Sequence, residues 1–476
     1  MSAAAPVPPA DAVPGRILRE LGRTQGGDEA LALLVRDQHT RRLLLLRALL
    51  DAAEAGPPDP RRLPPGALAR LRENWALLEA AERADRAAVR TVLLYPLTGP
   101  WAERCLRGLT TPAAGPHLRH DLDHFGALAA VAALRARLPF HARLAAHDGL
   151  LALPGLGALR TDPGSRAPAP VDLSFDGTDL TLCQGGARPV SVLVHERLPH
   201  GTCSGDRRWQ PVRTLPALLP GATPVVLDDF DPHRTAGTGL ERHGLSAATR
   251  LDDDALAAWE RSWAGVEPLL RIGGAHRAQE AAALLRCLVP LSPPPGSSPT
   301  GDGPAHCSGT RREAFGAVLS SRPATPAFLA STLVHELQHA KLAALAALTP
   351  LHHEDATPRH FAPWRPDPRP FDGLLQGAYS HLALADYWQR FALGADRPAH
   401  RDPAWAEHAR CREQVGAVLP VLAGSGALTT EGRTLVNEMI AVYHRLAESP
   451  PPPGQLARAA AYVRTARTIW CQRNGA

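Results

Sequence analysis

The segment His335-Glu336-Leu337-Gln338-His339 holds the residues of this sequence whose types and spacing best suit metal chemistry. On an α-helix, two histidines four residues apart project from one face, one turn apart, so that both imidazoles can bind a single cation. Glu336 lies about 100° round the helix from His335, where it can reach a metal-bound water or support a ligand. The motif therefore predicts a metal centre held by His335 and His339, with Glu336 as its catalytic or supporting carboxylate.

A well-marked helix start precedes this motif. Thr325 can cap a helix through its hydroxyl group, and Pro326 suits the first helical position because its missing N–H would have no partner there. Leu329 and Leu333 continue the apolar face, and several alanines follow the motif. These residues predict a buried helix that packs closely against its neighbours.

A third metal ligand must come from another segment. The predicted helix over residues 373–391 offers His381, which is the first choice because imidazole suits both iron and zinc. Asp386, Glu354 and Gln376 remain as alternatives.

A proline-rich loop over residues 363–370 places two arginines near the motif in sequence. Four prolines stiffen this loop, and the guanidinium groups of Arg365 and Arg369 are suited to bind a carboxylate through two hydrogen bonds. The alternative is a structural ion pair with Asp367 or Asp372. Upstream, residues 306–312 could donate hydrogen bonds to an anion or a peptide, or form only a surface turn.

Composition excludes several classes of protein. Lys and Arg total 52 and Asp and Glu total 47, so the net charge of +5 is too small a surplus to predict nucleic-acid binding. The 7 cysteines are scattered without a CxxC pair, which argues against a disulfide framework or a cysteine zinc site. The chain begins without a secretory signal and contains no long apolar run, so we expect a cytoplasmic protein without a membrane segment.

Hydrophobic periodicity divides the chain into four parts. We predict a disordered N-terminus over 1–14, a helical N-terminal region over 15–150, a β-rich insert over 151–250 and a helical HExxH region over 251–476. Within the insert, alternating strands on either side of Asp176-Gly177 predict a β-hairpin. The predicted fold class is α+β, predominantly α-helical, with a small antiparallel β insert.

Four sequence blocks resemble a known family. The blocks are SGTRREAFGAV (308–318), LVHELQHAKL (333–342), APWRPDPRP (362–370) and LLQGAYSHLALADYW (374–388). Together they resemble the bacterial HExxH-type peptide-modifying proteins that are encoded beside radical SAM enzymes in ribosomal-peptide clusters. Weaker similarity over 86–109 and 121–130 extends the resemblance across most of the chain.

The resemblance implies an iron(II)- and 2-oxoglutarate-dependent β-hydroxylase that acts on a side chain of a precursor peptide, with a radical SAM maturation enzyme as a further partner. It implies that His335 and His339 hold the iron and that Arg365 or Arg369 binds the carboxylate of 2-oxoglutarate. Glu336 would then orient a ligand or a water. The third ligand, assigned to His381, does not follow from the resemblance.

Two other functions fit the same motif. A zinc peptidase would use Glu336 as the general base on a metal-bound water. A peptide-binding partner of another maturation enzyme would need no working metal site, although the intact motif argues against this reading.

Overall fold

The computed structural model describes residues 13–55, 66–111, 118–161, 168–195, 201–235, 245–294 and 306–474. Within these ranges the chain is predominantly helical and also forms thirteen short strands, which confirms the predicted α+β class. The predicted disordered N-terminus, 1–14, lies outside the described residues except for its last two positions. No helix in the described ranges combines the length and the apolar character needed to cross a lipid bilayer.

The N-terminal half contains six helices and the first eight strands. The helices are α1 (Gly15–Gly22), α2 (Asp28–Ala55), α3 (Ala67–Ala84), α4 (Arg86–Leu93), α5 (Thr98–Thr110) and α6 (Leu118–Arg135). The strands are β1 (Phe140–Ala146), β2 (Leu150–Leu153), β3 (Gly157–Arg160), β4 (Ala169–Phe175), β5 (Asp179–Gln184), β6 (Val190–Val194), β7 (Thr202–Cys203) and β8 (Trp209–Pro211).

Most helices and strands of this half, but not α1, share one hydrophobic core. Helix α6 is buried along nearly its whole length, so it needs cover on more than one side. Helices α3, α4 and α5 and two antiparallel sheets, ordered β1-β4-β5-β6-β7 and β2-β3-β8, provide that cover. The predicted hairpin is confirmed, with Phe175 opposite Leu180. However, strand structure begins at Phe140, within the region predicted to be helical. The boundary predicted between residues 150 and 151 does not separate two hydrophobic cores, because residues on both sides of it pack in the same core.

A second five-stranded sheet links the two halves of the chain. It consists of β9 (Arg213–Leu215), β10 (Val225–Leu227), β11 (Cys287–Leu291), β12 (Ser308–Gly309) and β13 (Ala317–Ser321), in the order β12-β13-β11-β10-β9. Strands β10, β11 and β13 run parallel. The region 251–476, predicted to be helical, also contains strands, because α9 ends at Leu284 and the wholly buried run Cys287–Leu291 forms β11.

The C-terminal half is a helical assembly around α10 and α11. Its helices are α7 (Asp253–Ala264), α8 (Val266–Ile272), α9 (Ala275–Leu284), α10 (Pro326–Leu348), α11 (Phe371–Gly394), α12 (Pro398–Gly416), α13 (Leu419–Gly424), α14 (Thr430–Arg445) and α15 (Pro453–Asn474). Helix α1 packs against α14 and joins this core, so the first helix of the chain belongs with the last ones.

Buried charges fix the position of α10. Lys341, two residues after the motif, donates to Glu280 Oε1 at 2.8 Å, and both side chains are almost fully buried. Arg277 lies 3.2 Å from Glu280 and 3.5 Å from Asp386 of α11. Removing one member of such a network costs about 3–5 kcal/mol, because the remaining charge is left unpaired. The network therefore ties α9, α10 and α11 together directly beside the motif.

Candidate metal centre

Helix α10 begins as the sequence predicts. The Thr325 hydroxyl accepts a hydrogen bond from the backbone N–H of Phe328 at 3.3 Å, and Pro326 is the first helical residue. The helix then runs for 23 residues without a break. His335 and His339 consequently lie one turn apart on one face, in the middle of a long and firmly packed helix.

The imidazoles of His335 and His339 meet edge to face. Their ring planes are 85° apart, and the two Nε2 atoms lie 3.2 Å from each other. Two ligand nitrogens, each about 2.0–2.1 Å from a tetrahedral zinc ion, would be roughly 3.3–3.4 Å apart. The spacing of the pair therefore fits a shared metal ion.

Hydrogen bonding sets the proton position on His339. Its Nδ1 lies 3.2 Å from Gln376 Oε1, and an amide oxygen can only accept. Nδ1 therefore carries the proton, and the Nε2 that faces His335 has a bare lone pair. Metal-binding histidines usually show this pattern, in which the second ring nitrogen donates to an oxygen.

His381 lies next to the pair. Its ring centroid is 5.2 Å from that of His335, with the planes 88° apart. Its Nδ1 donates to the backbone oxygen of Gly377 at 2.8 Å, so its Nε2 is also free to act as a ligand. Trp364 stacks on the ring, with centroids 4.7 Å apart and planes at 19°. The indole thus fixes the orientation of the His381 side chain.

The three rings do not form a complete metal site as they stand. Among the described residues, no group of three or more His, Cys, Asp or Glu side chains could hold a metal ion. The pair of His335 and His339 suits a metal by itself, and His381 would need a rotation or a small shift of its ring to join it. The assignment of His381 as third ligand therefore stays a prediction.

The alternative ligands have other partners. Asp386 accepts a hydrogen bond from Arg445 at 2.8 Å and belongs to the buried charge network, while Glu354 lies 3.6 Å from Arg359. Gln376 holds His339, as described above. Of the four candidates, His381 and Gln376 are the two that the structure brings to the histidine pair.

Glu336 is buried and held by a hydrogen bond. Only 2% of its surface is exposed, and its Oε1 accepts a hydrogen bond from Ser308 Oγ of strand β12 at 2.7 Å. Burial raises the pKa of Glu336, while the neighbouring His339 and the bond from Ser308 oppose that rise. Ser308 belongs to the segment predicted to donate to an anion or a peptide, and here the group that it donates to is Glu336.

Arg365 and Arg369 both face Asp367. Arg365 Nε lies 3.1 Å from one carboxylate oxygen and Arg369 Nη1 lies 3.4 Å from the other, which is the structural pairing considered as an alternative. Arg369 also lies against Gly373, one turn before Gln376 on α11, and its Nε is buried without a partner in the described part of the chain. Arg369 is therefore better placed than Arg365 to bind a ligand beside the histidines.

Burial keeps His335 and His381 neutral. Burial lowers the pKa of His335 well below 6.5, and the nearby His339 and His381 act in the same direction. Burial also lowers the pKa of His381 to about 3, with the charge of Arg410 on α12 adding to the effect. Since a metal ion binds only neutral imidazole, these rings are ready to bind one at neutral pH.

One residue of this centre, Trp364, has no role in the sequence-based prediction. Trp364 lies in the proline-rich loop, in which only the arginines were predicted to bind a ligand. The presence of an aromatic residue between prolines is a signal for Trp364, but its stacking partner is set by tertiary packing alone.

Comparisons with known proteins give no further guidance on identity. No protein-family model matches the chain, and no curated protein sequence matches it either.

Proposed function

We propose that the protein is an iron(II)- and 2-oxoglutarate-dependent enzyme that hydroxylates the β-carbon of a residue in a ribosomally made precursor peptide. The resemblance of four sequence blocks supports the reaction class. The observation that carries the metal assignment is the 3.2 Å approach of the His335 and His339 Nε2 atoms, with the Nδ1 of His339 already engaged by Gln376.

In this proposal His335 and His339 would hold the iron, with His381 as the third ligand. Two histidines and one further ligand leave positions for a keto acid and dioxygen, and iron supplies the oxidation chemistry when it is bound. Gln376 and Gly377 orient the rings through their oxygens. Trp364 covers His381 and helps to keep bulk water from that side of the centre.

Glu336 would orient a neighbouring group in this centre. Its exposed fraction of 2% and its bond to Ser308 suit a fixed carboxylate better than a base that works on water in an open groove. Arg369 would bind the distal carboxylate of 2-oxoglutarate, since a guanidinium group suits a planar carboxylate and the Arg369 Nε has no partner within the described ranges.

The test combines purified protein, iron(II), ascorbate, 2-oxoglutarate and a precursor peptide from the same gene cluster. A product heavier by one oxygen atom, together with succinate, is the expected result. A shortened peptide formed with zinc would instead establish a metallopeptidase and overturn the proposal.

A second readout needs no peptide. Iron(II) chelated by 2-oxoglutarate in a protein site gives a charge-transfer absorption band, which should appear with the wild type and vanish with His335→Ala. His444→Ala is the matched control, because this histidine is exposed on α14, away from the motif in sequence. A band that persists in His335→Ala would contradict the assignment of the iron site.

A further inference from the structure

A cavity of about 690 Å³ lies between α6, the turn that joins β1 to β2, and the loop that follows β10. Sites for small molecules usually measure roughly 300–1,000 Å³. None of the residues that line the cavity belongs to α10 or α11, so it is separate from the candidate metal centre. Its wall carries six cationic or imidazole side chains: His120, His124, His147, Arg160, Arg234 and Arg250.

The three arginines come from separate segments and donate only to neutral acceptors. Arg160 donates to the side-chain oxygen of Gln210 at 2.9 Å. Arg234 Nη1 donates to the backbone oxygen of Asp231 at 2.6 Å, and Arg250 Nη1 to that of Asp229 at 3.3 Å. In the part of the chain that the structure describes, no carboxylate forms an ion pair with any of the three guanidinium groups.

These guanidinium groups influence one another. Burial lowers the pKa of Arg250, the carboxylate of Asp229 opposes this, and the charges of Arg234 and Arg160 lower it further. Arg250 also lies over the ring of Phe230, with 4.2 Å from its guanidinium carbon to the ring centroid. Arg234 Nε is buried and has no partner among the described residues. Three neighbouring positive charges, one of them with a buried donor that lacks a partner in the described residues, suit an anion.

The histidines of the cavity argue against a metal ion. His120 and His147 stack face to face, with centroids 3.8 Å apart and planes at 15°. Lone pairs of imidazole lie in the ring plane, so stacked parallel rings cannot both point at one ion. Burial lowers the pKa of His124 to about 3 and also lowers that of His120, so these two imidazoles are neutral at neutral pH and the arginines supply positive charge.

We propose that this cavity binds a small organic anion that carries at least two carboxylate or phosphate groups. Asp123 and Asp148 also line the cavity, which favours a ligand with hydrogen-bond donors beside its anionic groups over a bare inorganic ion. The site is a concave pocket and the net charge of the chain is only +5, so an extended polyanion such as a nucleic acid fits less well. The inference does not depend on the hydroxylase activity proposed above.

The cavity is also joined to the metal centre through one segment. Arg311 Nη1 donates to the backbone oxygens of His233 and Arg234 at 3.1 and 3.2 Å, and Ser308, three residues earlier, donates to Glu336. The segment 308–311 therefore contacts both the backbone beside the cavity and Glu336 of the candidate metal centre.

Titration calorimetry on the full-length protein without metal tests the proposal. The probes are citrate for the carboxylate class, ADP for the phosphate class, inorganic phosphate, and acetate as a monoanion. We expect citrate or ADP to bind at one site per chain, and acetate and phosphate to bind at least tenfold more weakly because each uses fewer of the arginines. Tighter binding of citrate would indicate a carboxylate ligand, and tighter binding of ADP would indicate a phosphate ligand.

Variants locate the binding site. Arg160 and Arg250 are both exposed residues at the cavity, so folding should persist in Arg160→Gln and Arg250→Gln, and each should weaken binding roughly tenfold. Arg143→Gln, an exposed arginine on β1 outside the cavity lining, and His335→Ala should leave the affinity unchanged. Failure of both citrate and ADP to bind overturns the proposal, as does equal affinity in Arg160→Gln, Arg250→Gln and Arg143→Gln. Loss of binding in His335→Ala would assign the anion to the metal centre instead.

Discussion

Two histidine clusters in this chain contain similar residues and differ in how the rings face each other. In the first, the rings of His335 and His339 are nearly perpendicular, and two nitrogens point at one space. In the second, His120 and His147 lie flat on one another, and the guanidinium groups beside them provide the charge. The comparison shows that the orientation of the imidazole rings, more than the number of histidines, distinguishes a candidate metal site from a pair of stacked histidines.

The supports behind the rings differ as well. At the first cluster, oxygens of Gln376 and Gly377 accept from the imidazoles and direct their remaining lone pairs. At the second, both ring nitrogens of the buried His233 lack partners in the described part of the chain, and its ring meets that of His124 edge on at 4.7 Å. At His339 and His381, the first cluster has the hydrogen bonds that commonly orient metal-binding histidines.

The largest effect is expected from disturbing the support of His381. A Cβ atom at Gly377 would lie 2.2 to 2.7 Å from ring atoms of Trp364, so Gly377→Ala must push the indole off its stack. We expect about 1–3 kcal/mol less unfolding free energy, and metal affinity weakened about 10- to 100-fold. Urea unfolding and competitive metal titration measure the two quantities.

Gly373→Ala, on the same helix, is the matched control for this substitution. Its added methyl group meets only the flexible end of Arg369, at 3.1 Å, which can move aside. Equal losses of metal affinity in both variants would show that the stack on His381 does not support the centre.

Next in size is the effect of Glu336→Gln. The amide keeps the shape of the side chain and can still accept from Ser308, so metal content should be unchanged while turnover falls about 10- to 100-fold. Glu260→Gln on the exposed side of α7 serves as control. Peptide cleavage by the wild type that disappears in Glu336→Gln would identify this carboxylate as a peptidase base.

The second cluster predicts a pH dependence of stability. Burial lowers the pKa of His124 from 6.5 to about 3, and that of His233 also lies well below its ordinary value. On acidification these histidines take up protons in the unfolded chain before they do so in the folded one. The free energy of unfolding is therefore greatest above about pH 6.5, and below that pH it falls by about 1.4 kcal/mol per pH unit for each such proton.

His124→Gln should reduce the slope of unfolding free energy against pH by the contribution of one proton between about pH 6 and pH 4. Urea unfolding at several pH values measures this slope. His141→Gln, an exposed position on β1, should not change the slope. Identical slopes in the wild type and His124→Gln would mean that this imidazole is not held neutral.

The smallest effect concerns the arginines near the first cluster. Arg365 and Arg369 are already paired with Asp367 and partly exposed, unlike the unpaired arginines of the cavity. We expect Arg369→Ala to raise the KM for 2-oxoglutarate roughly twofold to fivefold, and Arg365→Ala to change it less. Unchanged dependence on 2-oxoglutarate in both variants would remove the two arginines from the site.

Local signals made parts of this molecule predictable. The Thr325-Pro326 start of α10 and the Asp176-Gly177 hairpin follow from neighbouring residues, and both are present. Strand β11 could not be recognised in the same way, because it is buried on both faces and so shows no alternation, and its partner β13 lies about thirty residues further on.

The histidines show the same limit. The spacing of His335 and His339 on one helix is visible in sequence, and so is that of His120 and His124 on α6. Their ring orientations depend on Gln376, Trp364 and His147, which come from other elements. Spacing therefore suggested a metal at one pair, but only tertiary contacts could distinguish the two clusters.

Metal content of purified variants tests the central claim most directly. After reconstitution with iron(II), and separately with zinc, and after removal of free metal, the wild type should retain one metal ion per chain. His335→Ala and His339→Ala should retain none, whereas His120→Ala and His147→Ala should match the wild type. Metal that remains bound in the His335→Ala/His339→Ala double variant, or that is lost in His147→Ala, would contradict the assignment of the metal to the HExxH helix.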